Sequence, residues 1–188
     1  MATTFKRSVA RGFTLIELLI VVIILAILAA IAIPQFSAST SDAQLAALDA
    51  NLSTVRTALE QYKVQHTGNV YPGAVASTAT GTCPGGGNST AAAIGSDAMA
   101  AQLTGYTNAA GQVCPTGDTN NFKYGPYLRQ GIPTEPFSAV KTVDVVTTGA
   151  AVAASKGTGW AYSTATGQFI AKNSDTDGTT ANRKYSDH

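Results

Sequence analysis

The sequence GFTLIELLIVVIILAILAAIAIP, which runs from Gly12 to Pro34, decides how the rest of the chain is interpreted. Between this glycine and this proline every residue is apolar except Thr14 and Glu17. As a helix with a rise of about 1.5 Å per residue, the run reaches roughly 31 Å, enough to span the hydrocarbon core of a bilayer. A carboxylate inside lipid is costly and is normally kept for a function, so Glu17 needs a partner.

The leader before this run, residues 1–12, carries only basic charges, at Lys6, Arg7 and Arg11. Basic residues that flank an apolar helix stay on the cytoplasmic side, so we expect the rest of the chain to lie across the membrane. A secretory signal peptide would have small residues after its apolar core. Here Gly12 precedes that core, so cleavage after it would leave the membrane helix in the mature protein.

This arrangement resembles the N-terminus of type IV pilins and type II secretion pseudopilins. In that family a dedicated peptidase cuts after the glycine and the new N-terminal residue is methylated. The resemblance implies cleavage after Gly12, N-methylation of Phe13 and a role in filament assembly for Glu17, with Thr14 beside it. The partners that it implies are identical subunits in a helical filament, a prepilin peptidase and N-methyltransferase, and an inner-membrane assembly platform.

The chemistry of the new terminus agrees with this role. Cleavage would free an α-amine at Phe13, and an ion pair between that amine and Glu17 counts for more in a low-dielectric core than in water. The pair can form within one helix, because positions four apart share a face. We expect it instead between neighbouring subunits, where it would set the register of a filament. The alternative is a plain single-span anchor whose Glu17 reaches the headgroups.

A second apolar stripe follows the membrane run and predicts that the helix continues. Its spacing of three and four residues places it on one helix face, and we expect the helix to reach about His66 and stop at Gly68 or Asn69. The stripe consists of Leu45, Leu48, Leu52, Val55, Leu59 and Tyr62.

Pro34 predicts a kink or local melting between the two parts of the helix. Alternatively, the first helix ends there and a second begins near Ser41 or Asp42. The predicted organisation is a leader (1–12), a membrane or filament-core helix (13–34), an amphipathic helix half (35–67) and a globular domain (68–188).

The last third of the chain is strand-like. The alternation at 143–147 predicts a strand, and the runs 159–163 and 168–172 predict a hairpin. The helix stripe is the surface available to cover the apolar face of these strands. We therefore expect an α+β pilin fold, in which a long N-terminal helix packs on a small antiparallel sheet within residues 122–172, followed by a polar tail.

Residues 73–121 are rich in Gly, Ala, Ser and Thr, which predicts mostly irregular surface. A short helix from Ser96 to Leu103, with Ser96 as its cap, is expected within this segment, as is a turn at 108–111. The segment also contains the chain's two cysteines, Cys83 and Cys114. In a domain outside the cytoplasm a disulfide between them is expected, and two free thiols are the alternative.

No cofactor is expected, with calcium as the one candidate. Major pseudopilins commonly hold calcium near a C-terminal loop, and Asp175 and Asp177 offer carboxylates two apart before a glycine. A solvated polar turn is the alternative. A zinc site is not expected, since His66 and His188 lie far from the cysteines in sequence and there is no Cys-x-x-Cys.

Composition narrows the function classes. The net charge is +1, and without its three basic leader residues the chain keeps 9 basic and 11 acidic side chains, so nucleic acid is not an expected partner. The chain has no nucleophile-elbow or phosphate-loop motif, so an enzyme is not expected either.

The leading hypothesis is a pilin that forms an extracellular filament for adhesion, motility or surface contact. Its precursor would be a single-pass protein of the bacterial inner membrane with its C-terminal domain in the periplasm. A second hypothesis is a major pseudopilin in a periplasmic pseudopilus that drives protein export. This hypothesis is favoured by the resemblance of residues 125–137 and 159–168 to the globular domains of major pseudopilins. Residues 31–36 are closer to major pilins. Two further hypotheses are a minor pilin that binds a ligand through the 73–121 loop, and an anchored domain without a polymer.

Overall fold

The computed structural model describes residues 12–78, 82–86, 92–149, 152, 159–173 and 184–188. The chain divides into two compact units, Met1–Ala43 and Gln44–His188. The described part of the first unit is the start of a long helix. The second unit holds the remainder of that helix, a shorter helix and two small β-sheets.

Helix α1 runs without a break from Leu15 to Gln65. The alternative with two helices is therefore wrong, because no helix ends at Pro34 and none begins at Ser41 or Asp42. A proline inside a helix removes one hydrogen bond and costs about 3 kcal/mol. That cost does not divide a helix whose other amides bond internally along its whole length. A kink at Pro34 stays a prediction.

Hydroxyl side chains inside α1 bond to the preceding turn instead of interrupting it. The Thr40 hydroxyl donates to the carbonyl of Phe36 at 2.8 Å, and Thr54 and Thr57 make the same bond four residues back. Because the hydroxyls are satisfied within the helix, these weak helix formers are tolerated there.

The end of α1 agrees with the expectation. The residue after Gln65, His66, has an extended backbone (φ −107°, ψ 150°), and a short 3-10 turn follows at Thr67–Asn69. Gly68 and Asn69, the predicted stop residues, have positive φ angles of 80° and 55° and so turn the chain away from the helix axis.

The predicted stripe on α1 forms one wall of the core. Five of its members are at most 1% exposed, namely Leu48, Leu52, Val55, Leu59 and Tyr62, while Leu45 is half-buried. The five buried members belong to one apolar cluster with Trp160, Tyr162 and Phe169 from the C-terminal strands. Burying a large apolar side chain contributes about 1.5 to 3 kcal/mol, so this contact supplies much of the stability of the second unit.

Helix α2 covers Ser96–Thr104, close to the predicted bounds. Its N-cap is Gly95, so the predicted cap at Ser96 is wrong by one position. Gly95 has φ 112°, a backbone that favours glycine, and its carbonyl accepts the first helical hydrogen bond from the Met99 amide at 2.9 Å.

A small antiparallel hairpin follows α2, and the sequence did not predict it. Strand β1 (Tyr106–Thr107) pairs with β2 (Val113–Cys114) around the predicted turn at 108–111. The Asn108 carboxamide oxygen accepts the amides of Ala110 and Gln112, both at 3.0 Å, and so fixes the turn. Strands of two residues are too short to show alternation in the sequence.

The C-terminal sheet contains β3 (Val143–Val146), β4 (Trp160–Ser163) and β5 (Phe169–Ala171), in that order. The β4–β5 hairpin is antiparallel, as predicted. However, β3 pairs with β4 in parallel, so the expectation of an antiparallel sheet is wrong for this pair. The chain between β3 and β4 is long enough for the crossover that parallel pairing needs, whereas a tight turn joins β4 to β5.

Arg56 ties the sheet to α1. Its guanidinium donates to the Phe169 carbonyl through Nε at 3.1 Å and through Nη2 at 2.9 Å, and Nη2 also reaches the carbonyl of His188 at 2.9 Å. Burial of the guanidinium lowers the pKa of Arg56, partly countered by the charge of Asp49. The contact therefore holds both β5 and the C-terminal residues on the helix.

Candidate functional site

The predicted processing site lies in exposed, non-helical backbone. Residues 12–14 precede the first turn of α1, and Phe13 is 79% exposed. A β-carbon added at Gly12 would meet nothing within 4 Å. The peptide bond between Gly12 and Phe13 is therefore exposed, as cleavage there would require, and the cleavage itself stays a prediction.

Thr14 and Glu17 are in direct contact at the start of α1. The Thr14 amide and hydroxyl donate to Glu17 Oε2 at 2.9 Å and 2.7 Å, and the Glu17 amide donates to the Thr14 hydroxyl at 3.3 Å. This is a capping box, in which two polar side chains satisfy amides that the first helical turn leaves unbonded. A carboxylate at the N-terminal end of the helix is also favoured by the helix dipole.

The helix surface around this box is apolar and exposed. Leu15–Ile33 has a mean hydropathy of 3.3 and none of it is buried, so it is long and apolar enough to cross a membrane. The helix that covers the core of a soluble domain would be mostly buried instead. The segment thus presents a continuous apolar surface whose one carboxylate, Glu17, lies in the first turn.

The predicted disulfide is present between Cys83 and Cys114, with their Cα atoms 5.6 Å apart. Both cysteines are at most 3% exposed and pack with Phe122 in a small apolar cluster of their own. The bond attaches the short described segment at 82–86 to strand β2, and the Thr116 hydroxyl bonds to the carbonyl of Pro84 beside it.

The segment 73–121 was expected to be mostly irregular surface, but it contains a helix, two short strands and several buried side chains. The fully buried side chain of Gln102 accepts the Gly73 amide at 2.6 Å and donates to the carbonyls of Val75 and Gly111 at 3.1 Å and 2.8 Å. One side chain thus holds two separate backbone segments, at 73–75 and at 111, against α2. The sequence contained no signal for this residue, because its burial depends on segments far from it in the chain.

His66 was expected only to end the helix, but its side chain is buried and forms hydrogen bonds through both ring nitrogens. Its Nδ1 lies 2.7 Å from the Tyr62 carbonyl and its Nε2 lies 2.9 Å from the Thr107 hydroxyl. The ring stacks on Tyr62 with centroids 3.7 Å apart. Burial lowers the pKa of His66, while its hydrogen bonds to the backbone of Tyr62 and Asn108 act in the opposite direction.

The calcium candidates Asp175 and Asp177 lie outside the described residues, so that idea stays a prediction. Within the described ranges no three side chains of His, Cys, Asp or Glu are grouped closely enough to hold a metal ion. Of the residues singled out from the sequence, the structure brings together Thr14 with Glu17 and Cys83 with Cys114.

Comparison with known proteins shows what this N-terminal segment is similar to. Residues 7–33 match the family described as "Prokaryotic N-terminal methylation motif". Over 59 residues, 31% of this chain, the sequence is 49% identical to the type IV narrow pilus major component PilA5 of Thermus thermophilus and covers 51% of that protein. No solved structure matches the chain.

Two further relatives match much the same share of the chain. The type IV major fimbrial protein FimA of Dichelobacter nodosus is 48% identical over 29% of this chain and 35% of its own length. The type II secretion system core protein G of Pseudomonas aeruginosa is 36% identical over 32% of this chain and 43% of its own. The chain thus spans about half the length of these relatives or less, and its N-terminal segment is similar to those of type IV pilins and of a type II secretion core protein.

Proposed function

We propose that the protein is a structural subunit that polymerises through α1 into a type IV pilus-like extracellular filament. The observation that carries the proposal is the exposed apolar surface of Leu15–Ile33, interrupted only by the capped carboxylate of Glu17. An isolated helix of this kind is soluble only in a bilayer or against other apolar helices. Storage in the membrane provides the first of these environments, and packing against the helices of other subunits in a filament provides the second.

Processing precedes assembly in this scheme. A prepilin peptidase removes residues 1–12 on the cytoplasmic side, where the basic leader is held, and methylates the amine of Phe13. The domain beyond the membrane then lies in the periplasm. The Cys83–Cys114 disulfide supports this orientation, since such bonds persist in oxidising compartments and are rare in the cytosol.

The pairing chemistry follows from the geometry of the first turn. The bonds described for the Glu17 carboxylate all go to Oε2, so among the described residues Oε1 is left for an incoming donor. The methylated amine of a neighbouring Phe13 is a cation that can supply it. In an apolar core an unpaired carboxylate is strongly disfavoured. A neighbouring subunit in the wrong register would leave Glu17 unpaired, whereas the correct register pairs it with an amine.

The test is a substitution that removes only the charge. Glu17→Gln keeps the size of the side chain and an oxygen for the Thr14 donors, so membrane insertion is retained while filament yield collapses. Glu60→Gln, on an exposed glutamate of the same helix, is the matched control and leaves yield unchanged. Electron microscopy and immunoblotting of sheared surface material measure the yield. Normal filaments from Glu17→Gln would refute the proposed pairing.

A second candidate is a subunit of a periplasmic pseudopilus, because the matched relatives include a type II secretion core protein. The same helix and the same Glu17 pairing would serve both filaments. Deletion of the gene separates them. Loss of surface fibres with normal protein export supports the pilus, and loss of export without loss of fibres supports the pseudopilus.

A further inference from the structure

His66 lies where the end of α1 meets the hairpin lobe, by which we mean residues 106–114. Its side chain is only 5% exposed. One ring nitrogen bonds to the helix, at the Tyr62 carbonyl, and the other bonds to the lobe, at the Thr107 hydroxyl. The imidazole therefore bridges two parts of the fold through its two nitrogens.

The bridge depends on the protonation state of the ring. A carbonyl only accepts hydrogen bonds, so Nδ1 carries the hydrogen that faces Tyr62. In the neutral ring Nε2 is then an acceptor, and the Thr107 hydroxyl donates to it. When Nε2 gains a proton, it becomes a donor, so the Thr107 hydroxyl must turn to accept it, and the ring then carries a positive charge in a buried site that disfavours it.

The rings around the imidazole give a buried cation little support, and its hydrogen bonds to the backbone of Tyr62 and Asn108 offset the effect of burial only in part. Tyr62 of α1 stacks on the ring, and Tyr124 and Tyr127 approach it with centroids 5.3 Å and 6.3 Å away. Beside them, Lys123 Nζ lies 5.3 Å from the centre of the Tyr124 ring. Within the described part of the chain no carboxylate forms an ion pair with His66.

We propose that His66 is a pH-sensitive latch, which fastens the hairpin lobe to the end of α1 while its ring is neutral and releases it when the medium becomes acidic. The other tethers do not titrate. The Thr67 amide and hydroxyl both donate to the Ala109 carbonyl, at 2.9 Å and 2.8 Å, and the disulfide holds β2. Gln102 also donates to the Gly111 carbonyl at 2.8 Å, and Thr107 and Tyr124 exchange two backbone hydrogen bonds, at 2.9 Å and 3.1 Å. The release is therefore local opening of the lobe.

The direction of the pH dependence follows from linkage. Burial keeps the pKa of His66 below its ordinary value of 6.5, so the closed lobe binds fewer protons than the open one. The latch is then fully effective above that ordinary value and weakens as the pH falls below it. A single proton sets the limit, so opening increases by no more than about tenfold per pH unit.

The experiment is hydrogen exchange on the full chain in detergent micelles, measured by NMR between pH 7.5 and pH 5 and corrected for intrinsic exchange rates. The imidazole of His66 is followed in the same samples, and His188→Gln assigns the two histidines. We expect exchange of the lobe amides to rise severalfold as His66 titrates, while amides of Leu52 and Val55 in α1 do not change. Corrected lobe exchange that is equal at both ends of the range, or a His66 ring that titrates at or above the ordinary value, overturns the proposal.

His66→Gln supplies the matched variant, since its amide donates to a carbonyl without titrating in this range. We expect its lobe exchange to be independent of pH. If the variant does not fold, the wild-type protein still decides the question, because the onset of lobe exchange must then coincide with the titration of His66.

Discussion

The Thr14 hydroxyl lies 2.7 Å from Glu17 Oε2 and accepts the Glu17 amide in return, at 3.3 Å. The two polar residues of the apolar segment therefore form hydrogen bonds with each other within a single chain. This contact fixes the direction of the Glu17 carboxylate and satisfies the first turn of α1. In the proposed filament one carboxylate thus caps its own helix and receives the amine of a neighbour.

Removing the cap is expected to loosen the start of the helix. Thr14→Ala deletes the hydroxyl that bonds Glu17, and loss of such a cap costs about 1 kcal/mol, or about fivefold in local opening. Thr14→Ser keeps the hydroxyl and serves as the control. Amide exchange of Glu17 and Leu18 in micelles checks this, and equal exchange in the alanine and serine variants would show that the contact does not stabilise the turn.

Gln102 is expected to be critical for the second unit. Gln102→Leu leaves the Gly73 amide and the carbonyls of Val75 and Gly111 without their partner, and each buried unsatisfied group costs about 1 to 3 kcal/mol. We therefore expect a loss of at least about 3 kcal/mol in the free energy of unfolding, measured with denaturant on the full chain in micelles. The same change at exposed Gln130 should stay within about 0.5 kcal/mol. Similar losses from both substitutions would contradict the role of Gln102.

The disulfide is expected to stabilise the fold mainly by restricting the unfolded chain. Its cysteines are 31 residues apart, which corresponds to roughly 3 to 4 kcal/mol in the chain-entropy estimate. Cys83→Ser combined with Cys114→Ser should lower the melting temperature of the second unit, and a reductant should then have no further effect. A wild-type protein whose melting is insensitive to reductant would contradict this expectation.

Substitutions at two glycines can distinguish the cost of backbone strain from the cost of a steric clash. Gly131 and Gly167 have similar φ angles of 78° and 74°, but only at Gly167 would an added β-carbon meet another residue, the ring of Tyr71. Gly131→Ala is expected to cost about 1 kcal/mol in stability, and Gly167→Ala clearly more, because the ring must move. Thermal melting of the two variants measures the difference. Equal costs would mean that the ring yields freely.

The sequence could predict the parts of the fold that have a local signal. The stripe from Leu48 to Tyr62 predicted the core face of α1, and alternation predicted the hairpin from 159 to 172. Two cysteines in a domain that was expected to lie outside the cytoplasm predicted the disulfide. The capping box was also visible, as a threonine three residues before a glutamate, although Thr14 was interpreted only as an assembly residue.

The remaining features arise from contacts between distant parts of the chain. The burial of Gln102 depends on backbone at 73–75 and 111, and that of His66 on a hydroxyl 41 residues later. The parallel pairing of β3 with β4 depends on how the intervening chain crosses back, which no periodicity encodes. The prediction that the helix continues past Pro34 is confirmed and only the alternative with two helices is wrong, because the cost of one proline is small against the cooperativity of a 51-residue helix.

The central claim is that the chain is cut after Gly12 and that the new amine of Phe13 meets the Glu17 carboxylate of a neighbouring subunit. The most direct measurement is cryo-electron microscopy of filaments sheared from cells, with mass spectrometry of the subunit N-terminus. The account predicts subunits that begin at methylated Phe13, with its amine within hydrogen-bond distance of Glu17 from the adjacent subunit. Filaments whose subunits begin at Met1, or whose Glu17 faces no amine of a neighbour, would contradict it.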